Sequence, residues 1–201
     1  MTAPPTSLRE RKKAKTRAAI REHAMRLFEE QGYAATTVDQ IADAAEVSPS
    51  TFFRYFPTKE DVVLVDDVDA VLLSAVRDQP AEVPPVEAIL RGMRRVFDDM
   101  SPQTWEFERR RQRLVLGVPE LRARMLHQMT SAIDMVAEVI AERAGLPADD
   151  FSARVTAGAA VGAMLAVLPS DGIDQAEGVT PGDYQRLEKA LMLLQSGLPL
   201  G

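Results

Sequence analysis

Residues 36–62 read TTVDQIADAAEVSPSTFFRYFPTKEDV, and this stretch decides the fold. Thr37 precedes Val38, and Gln40 follows three residues later. In that capping-box pattern the hydroxyl and the amide side chain each accept a helix-terminal N–H. Ile41, Ala42 and Ala45 then form one apolar face, so the spacing predicts a helix of about eight residues. After Glu46 and Val47, Ser48 is placed to cap a further helix with Pro49 at its first position, where the missing N–H costs nothing. That helix is expected to run to Tyr55 and to stop at Pro57. Thr58 with Asp61 three residues later opens another, carried by Val62, Val65, Val68, Leu72 and Val76.

Upstream, Ile20, Ala24, Leu27 and Phe28 recur at helical spacing between Leu8 and Gln31, with Gly32 as a stop. Helices as short as the two after Thr37 and Ser48 are marginal in water without packing. They are expected to close a small core, Ile41, Ala45, Val47 and Phe52 against Ile20, Leu27 and Phe28, leaving Ser50, Thr51, Arg54 and Tyr55 outward. This is a helix-turn-helix, whose second helix enters a DNA major groove while the first spans the backbone.

The segment GYAATTVDQIADAAEVSPSTFFRYFPTKEDV, residues 32–62, resembles the DNA-binding domain of the tetracycline-repressor (TetR) family. The resemblance implies an all-α homodimer. Residues 1–57 would form an N-terminal three-helix helix-turn-helix DNA-binding domain, with residues 1–7 as a disordered lead. Residues 58–201 would form a C-terminal helical ligand-binding and dimerisation domain, with helix 4 (58–77) as connector. Two positions depart from the family pattern. Glu46 stands where a turn glycine is usual, and Phe53 stands where a tyrosine often reaches a phosphate.

The expected DNA contacts follow. Thr37 caps a helix whose N-terminus suits an anion, and by resemblance it contacts a phosphate; a cap alone is the competing reading. Ser48, Pro49, Ser50 and Thr51 open the recognition helix with short side chains that allow close approach to base edges. None of the four carries an amide or a cation, so apolar contact with thymine methyls and indirect readout are expected to matter. Arg54, Tyr55 and Lys59 are expected phosphate clamps. Tyr55 also fits a core aromatic, and Lys59 a solvated cation. Arg11, Lys12, Lys13, Lys15 and Arg17 are expected to neutralise flanking phosphates or to enter a minor groove.

Charge supports that polarity. The chain of 201 residues has a net charge of -6, yet residues 1–60 carry +2 and the remainder -8. One end can face phosphate while the rest is repelled by it. With no cysteine, disulfides, thiolate zinc sites and cysteine nucleophiles are excluded. The N-terminus is polar and basic rather than a secretory signal, and the run from Ala157 to Leu168 is too short for a bilayer, so no membrane partner and a cytoplasmic location are expected.

Beyond residue 77, DQPAEVPP at 78–85 reads as a linker. Val86, Leu90, Met93, Phe97 and Met100 make one helical stripe, a segment from Trp105 to Leu116 follows, and Leu121, Met125, Met129, Ile133, Val136 and Ile140 make another. The small-residue segment 151–168 and the helix at 183–196 are candidates for a four-helix dimer interface, with internal core packing as the competing reading. Met93, Phe97, Trp105, Met125, Met129 and Met164 fit either a lipophilic effector pocket or plain core. Arg109, in the arginine-rich WEFERRRQR at 105–113, could meet an anionic effector group, or its neighbours Glu106 and Glu108 could pair with the arginines on a solvated helix.

No catalytic constellation is present. His23 and His127 share no metal-ligand spacing, and neither a phosphate-loop motif nor H-E-x-x-H occurs, so no enzyme activity, no cofactor and no metal are expected. The function expected is a ligand-responsive DNA-binding repressor, a homodimer released from a palindromic double-stranded operator by a small lipophilic effector. The alternative is a helical small-molecule binding or scaffolding protein whose helix-turn-helix no longer reads a specific sequence.

Overall fold

The computed structural model describes residues 7–64, 67–167 and 181–198, and every regular element among them is helical. Residues 1–6 of the expected lead 1–7, Val65 of the helix-4 stripe, and Leu168 lie outside the described residues, whereas Ser7 is ordered as the cap of the first helix. The chain forms two compact units, one ending at Val65 and the other beginning at Asp66. The division falls inside the stretch expected to connect the domains.

The first unit is built from α1 (Leu8–Gln31), α2 (Val38–Ala44), α3 (Pro49–Tyr55) and α4 (Asp61–Leu64). A full capping box opens α1: Glu10 N donates to Ser7 Oγ at 3.2 Å and Ser7 N donates to Glu10 Oε2 at 2.7 Å. These bonds hold the Glu10 carboxyl below the usual carboxylate range. Residues 8–15 of α1 are all exposed; the helix begins to bury only where Ile20, Ala24, Met25 and Phe28 turn inward.

Because α2 and α3 are each only 7 residues long, they hold their shape by packing. Ile41, Ala42, Phe52 and Phe56 are fully buried together with Ile20, Ala24 and Met25. The expected core is therefore shifted: Leu27, Ala45 and Val47 are only half-buried, and Met25, Ala42 and Phe56 take the interior. The reason is Phe56, at the C-cap of α3, whose ring lies against that of Phe52 with centroids 5.9 Å apart and takes up interior space.

The α2–α3 turn closes with paired backbone bonds, Val47 N to Ala42 O at 2.9 Å and Glu46 N to Asp43 O at 3.1 Å. This is a Schellman closure, which needs a left-handed residue at its centre. Here that residue is Glu46, with φ 54. The same closure ends α8 at Gly145, with φ 65 and Leu146 N on Ala141 O at 2.9 Å. Where Gly145 adopts the conformation freely, Glu46 brings its Cβ against the backbone.

The second unit holds α5 (Asp67–Arg77), α6 (Pro85–Asp98), α7 (Pro102–Gly117), α8 (Pro119–Ala144), α9 (Phe151–Val167) and α10 (Pro181–Gln195). Its core is supplied by α5, α6, α8, α9 and α10, with Met93, Ile89, Val139, Ile140 and Leu191 among the most buried. Burial of each such side chain contributes about 1.5–3 kcal/mol. Alanines set the helix spacing: Ala153, Ala157 and Ala160 of α9 face this core. Gly92 of α6 lets α5 come close, since a Cβ there would lie 2.8 Å from Val76 Cγ2. The small-residue segment thus packs one face internally. Its other face carries Phe151, 79% exposed, and Val155, 52% exposed.

The stretch 78–85, which reads as a linker, lies wholly inside the second unit: residues 78–84 form the α5–α6 loop and Pro85 opens α6. One side chain from α8 holds the loop at several points. The Arg143 guanidinium, on α8, donates to the carbonyls of Val76 at 3.2 Å, Pro80 at 2.9 Å, Val83 at 3.0 Å and also Gln79. It thereby satisfies one C-terminal carbonyl of α5, that of Val76, and three carbonyls of the loop that follows. Among the described residues no helix is long and apolar enough to cross a membrane.

Two substitutions test these local claims. Arg143→Met keeps the aliphatic stem but strands the carbonyls, and is expected to cost about 2 kcal/mol, or roughly 4–8 °C in Tm; an unchanged thermal unfolding curve would contradict the clamp. Glu46→Gly relieves the left-handed strain and is expected to raise stability by about 0.5–1 kcal/mol in urea unfolding followed by circular dichroism. A loss of stability would show that Glu46 is held there by something other than backbone geometry.

Candidate nucleic-acid interface

The exposed surface of α2 and α3 is built from the residues that cap them. Thr37 accepts Gln40 N at 3.2 Å, and Gln40 Oε1 accepts Thr37 N at 2.9 Å. Ser48 caps α3 by accepting Thr51 N at 3.1 Å. Its hydroxyl also lies 2.9 Å from Ser50 Oγ and donates to Thr51 Oγ1 at 3.0 Å. The three hydroxyls at the start of α3 thus form one short chain and are positioned before any ligand arrives. Ser48, Pro49 and Ser50 are exposed, and Thr51 is half-buried.

One turn on, Phe53 is 50% exposed, its ring set edge-on to Phe52 at 5.5 Å. Arg54 is exposed, with its guanidinium 5.4 Å from the centre of the half-buried Tyr55 ring. The outward face of α3 therefore offers small hydroxyls, a proline ring, one large apolar ring and one cation. Such a surface has little hydrogen-bond vocabulary for base edges and is suited to methyl contact and phosphate neutralisation.

The other cations divide into two groups. Lys13 is exposed on the outlying turns of α1 beside Arg11, Lys12 and Lys15, as a phosphate-neutralising arm requires. Arg17 is half-buried and places its guanidinium 5.3 Å from the Phe56 ring centre, so its stem is part of the packing of α1 on α3. Lys59 also turns inward: Nζ donates to Tyr33 O at 2.9 Å and Thr36 O at 3.0 Å and sits 4.0 Å from the Tyr33 ring centre. These bonds distinguish it from a solvated cation.

The residues expected around an effector fall into separate places in the second unit. Met93 is 1% exposed in the core. Phe97 stacks on Trp105 at 5.3 Å and lies 4.6 Å from Tyr184. Burial, reinforced by Glu188 and opposed by Arg94, pushes the Tyr184 hydroxyl up to about 12, and it has no hydrogen-bond partner among the described residues. Met164 instead lines a small apolar cavity of about 30 Å³ with Leu72, Leu73, Val76, Ile89 and Val136 among its walls. Met125 and Met129 are half-buried on α8.

Arg109 pairs with the exposed Glu106, as a solvated helix would have it. The pair Glu108–Arg111 departs from that reading. Both residues are 8% exposed, and Arg111 Nε lies 2.7 Å from Glu108 Oε2. The reason is helical register: positions three apart on α7 meet on its inner face. The sequence spacing allowed this pairing but gave no sign of its depth, and only the aromatic character of Tyr184 hinted at its place beside Phe97.

Comparison with known proteins agrees with both units. Residues 20–65 match the family model for bacterial regulatory proteins of the tetR family, and residues 83–199 match the MftR C-terminal domain of the same family. The chain is 37% identical over 150 residues to the HTH-type transcriptional regulator TcmR of Streptomyces glaucescens, covering 71% of this chain and 66% of TcmR. It is 38% identical over 87 residues to the HTH-type transcriptional regulator EthR of Mycolicibacterium smegmatis, covering 40% of this chain and 39% of EthR. The matches thus span about two thirds of one curated relative and less of the other.

Among solved structures, the Thermus thermophilus TetR-family transcriptional repressor FadR, in complex with lauroyl-CoA, superposes with a TM-score of 0.55. It shares 30% identity, with 92% of this chain and 96% of that chain covered. With family models covering both units and most of its length, the chain belongs to the TetR family of bacterial regulatory proteins.

Proposed function

We propose that this regulator is a homodimeric repressor that holds a near-palindromic operator in the cytoplasm and releases it when a small lipophilic effector enters the second unit. The observation that carries the DNA-reading part is the preorganised, outward α3 face, flanked by the exposed cations of α1 on the one basic end of an acidic chain. Thr37, Ser48, Pro49, Ser50, Thr51, Arg54 and Tyr55 belong to that face, and Lys13 to its flank. Dimer symmetry then sets two recognition helices about 34–36 Å apart, one turn of the duplex.

The dimer is supported by the outer faces of α9 and α10. Phe151, Val155, Met192 and Leu193 are each 42% exposed or more, and a Cβ at Gly158 or Gly162 would meet nothing within 4 Å. An apolar stripe bordered by such open glycines suits close helix approach by a second copy. For the effector, the apolar cavity beside Met164, about 30 Å³, is lined by aliphatic side chains from α5, α6, α8 and α9; it must widen to admit an alkyl chain, which its walls suit better than a polar group. That the 30%-identical FadR is solved with lauroyl-CoA points the same way. Three of the cavity walls, Leu72, Leu73 and Val76, stand on α5. An effector that spreads them shifts the helix next in sequence after the reader. By linkage, the factor by which it weakens DNA binding is the factor by which DNA weakens effector binding.

Selection of purified protein against a random duplex library tests this reading. The expected outcome is a consensus with two inverted half-sites, and release of that duplex by a C12 acyl thioester that also raises Tm. Recovery of no consensus, with only salt-sensitive sequence-blind binding, would favour a helical small-molecule binding protein with a silent reader. A consensus without release by acyl compounds would overturn the effector class alone.

A further inference from the structure

Lys59 occupies the turn between α3 and α4, where a cation next to a DNA-reading helix would ordinarily be assigned to a phosphate. Its surroundings give it another task. An ammonium has three N–H donors, and here the group lies within hydrogen-bond reach of the Tyr33 and Thr36 carbonyls and 4.0 Å from the Tyr33 ring centre. Two of the donors are met by carbonyls of the protein, and the ring face lies beside the group. The neighbouring residue completes the grip, since Tyr33 Oη donates to Glu60 Oε1 at 2.9 Å. Lys59 and Glu60 therefore hold the α1–α2 turn by two carbonyls, one ring face and one hydroxyl.

The turn so held leads directly into the N-terminus of α2. Thr36 is 1% exposed, and its hydroxyl donates to Gly32 O at 2.9 Å while accepting from Gln31 Nε2 at 3.1 Å. Gln31 Nε2 also donates to Gln40 Oε1 at 3.0 Å, the same oxygen that accepts the Thr37 N–H. The carbonyl of Thr36 that Lys59 grips thus precedes the cap residue of α2, and the cap's own acceptor is braced from α1.

We propose that Lys59 is a positioning residue of the DNA reader: held by Tyr33 and Thr36, it fixes the Thr37 end of α2 against the start of α4 rather than neutralising a phosphate. The inference rests on the DNA-reading function proposed above and adds the route by which the α3–α4 turn sets the phosphate grip of α2. A displacement of Lys59 moves the Thr36 carbonyl, and with it the N–H groups that α2 presents.

The test is a double-mutant cycle on the duplex recovered by library selection, using the full chain at several salt concentrations. Lys59→Met, Thr37→Ala and the double variant are compared, with Arg54→Ala as a phosphate-contact control. Lys59→Met is expected to weaken binding about tenfold, the size of a lost helix cap, with the salt slope of log K unchanged. Arg54→Ala is expected to lower that slope by about one. Adding Thr37→Ala to Lys59→Met should cost little more, because both act through the same helix end.

A slope lowered by about one in Lys59→Met would place the ammonium on a phosphate and overturn the proposal. Additive losses would overturn it as well, leaving Lys59 a merely stabilising residue. If Lys59→Met fails to fold, Tyr33→Phe, which removes only the hydroxyl bond to Glu60, is put through the same cycle and must show the same coupling to Thr37 and the same unchanged slope. Failure of the wild-type chain to bind any selected duplex would instead refute the DNA-reading function.

Discussion

Two helices of 7 residues each cannot stand in water, and everything this protein presents to DNA depends on how that constraint is met. Nucleating so short a helix costs more than its few internal hydrogen bonds return. The cost is met by burial of Ile41, Ala42, Phe52 and Phe56 against Ile20, Ala24 and Met25 of α1. Once those residues are committed inward, helical periodicity leaves Thr37, Ser48, Ser50, Phe53 and Arg54 facing out. The face proposed to read DNA is the complement of the core, and neither can change without the other.

The caps convert that packing into a defined surface. Hydroxyl side chains at Thr37 and Ser48 answer the open N–H groups of α2 and α3, and the turn between the helices is closed by a left-handed Glu46 with φ 54. A strained residue at this point is affordable because the closure bonds on either side and the buried aromatics over-determine the turn. The second unit repeats the principle with different means: Arg143 reaches from α8 to the Val76 carbonyl near the end of α5 and to three carbonyls of the loop leading to α6. In the first unit the helix ends are finished by neighbours in sequence, in the second by a side chain from another helix.

That difference in range explains what could be read from the sequence. The boundaries of α1, α2 and α3 were legible because Ser/Thr caps, Pro49 and Gly32 act on their own neighbours. The strained turn was legible because Glu46 stands where glycine is usual. The inward turn of Lys59 and the loop clamp of Arg143 were not, because each depends on carbonyls brought close by tertiary folding, from 23 to 67 residues away. The depth of the Glu108–Arg111 pair was hidden for the same reason. Its spacing fits a solvated helix equally well, and only packing around α7 makes it 8% exposed. The small residues of α9 carried two readings, and each face takes one: alanines toward the core, glycines and Phe151 outward.

The α2–α3 face is the surface proposed to meet DNA. The most direct measurement is amide hydrogen exchange across the whole chain, with and without the duplex recovered by selection. Slowed exchange on binding is expected at residues 37–40 and 48–55, with lesser slowing along the exposed turns of α1. If the duplex left those amides unchanged and slowed exchange only along residues 8–17 or in the second unit, contact would rest on bulk charge or lie elsewhere, and the account of the reading face would be wrong.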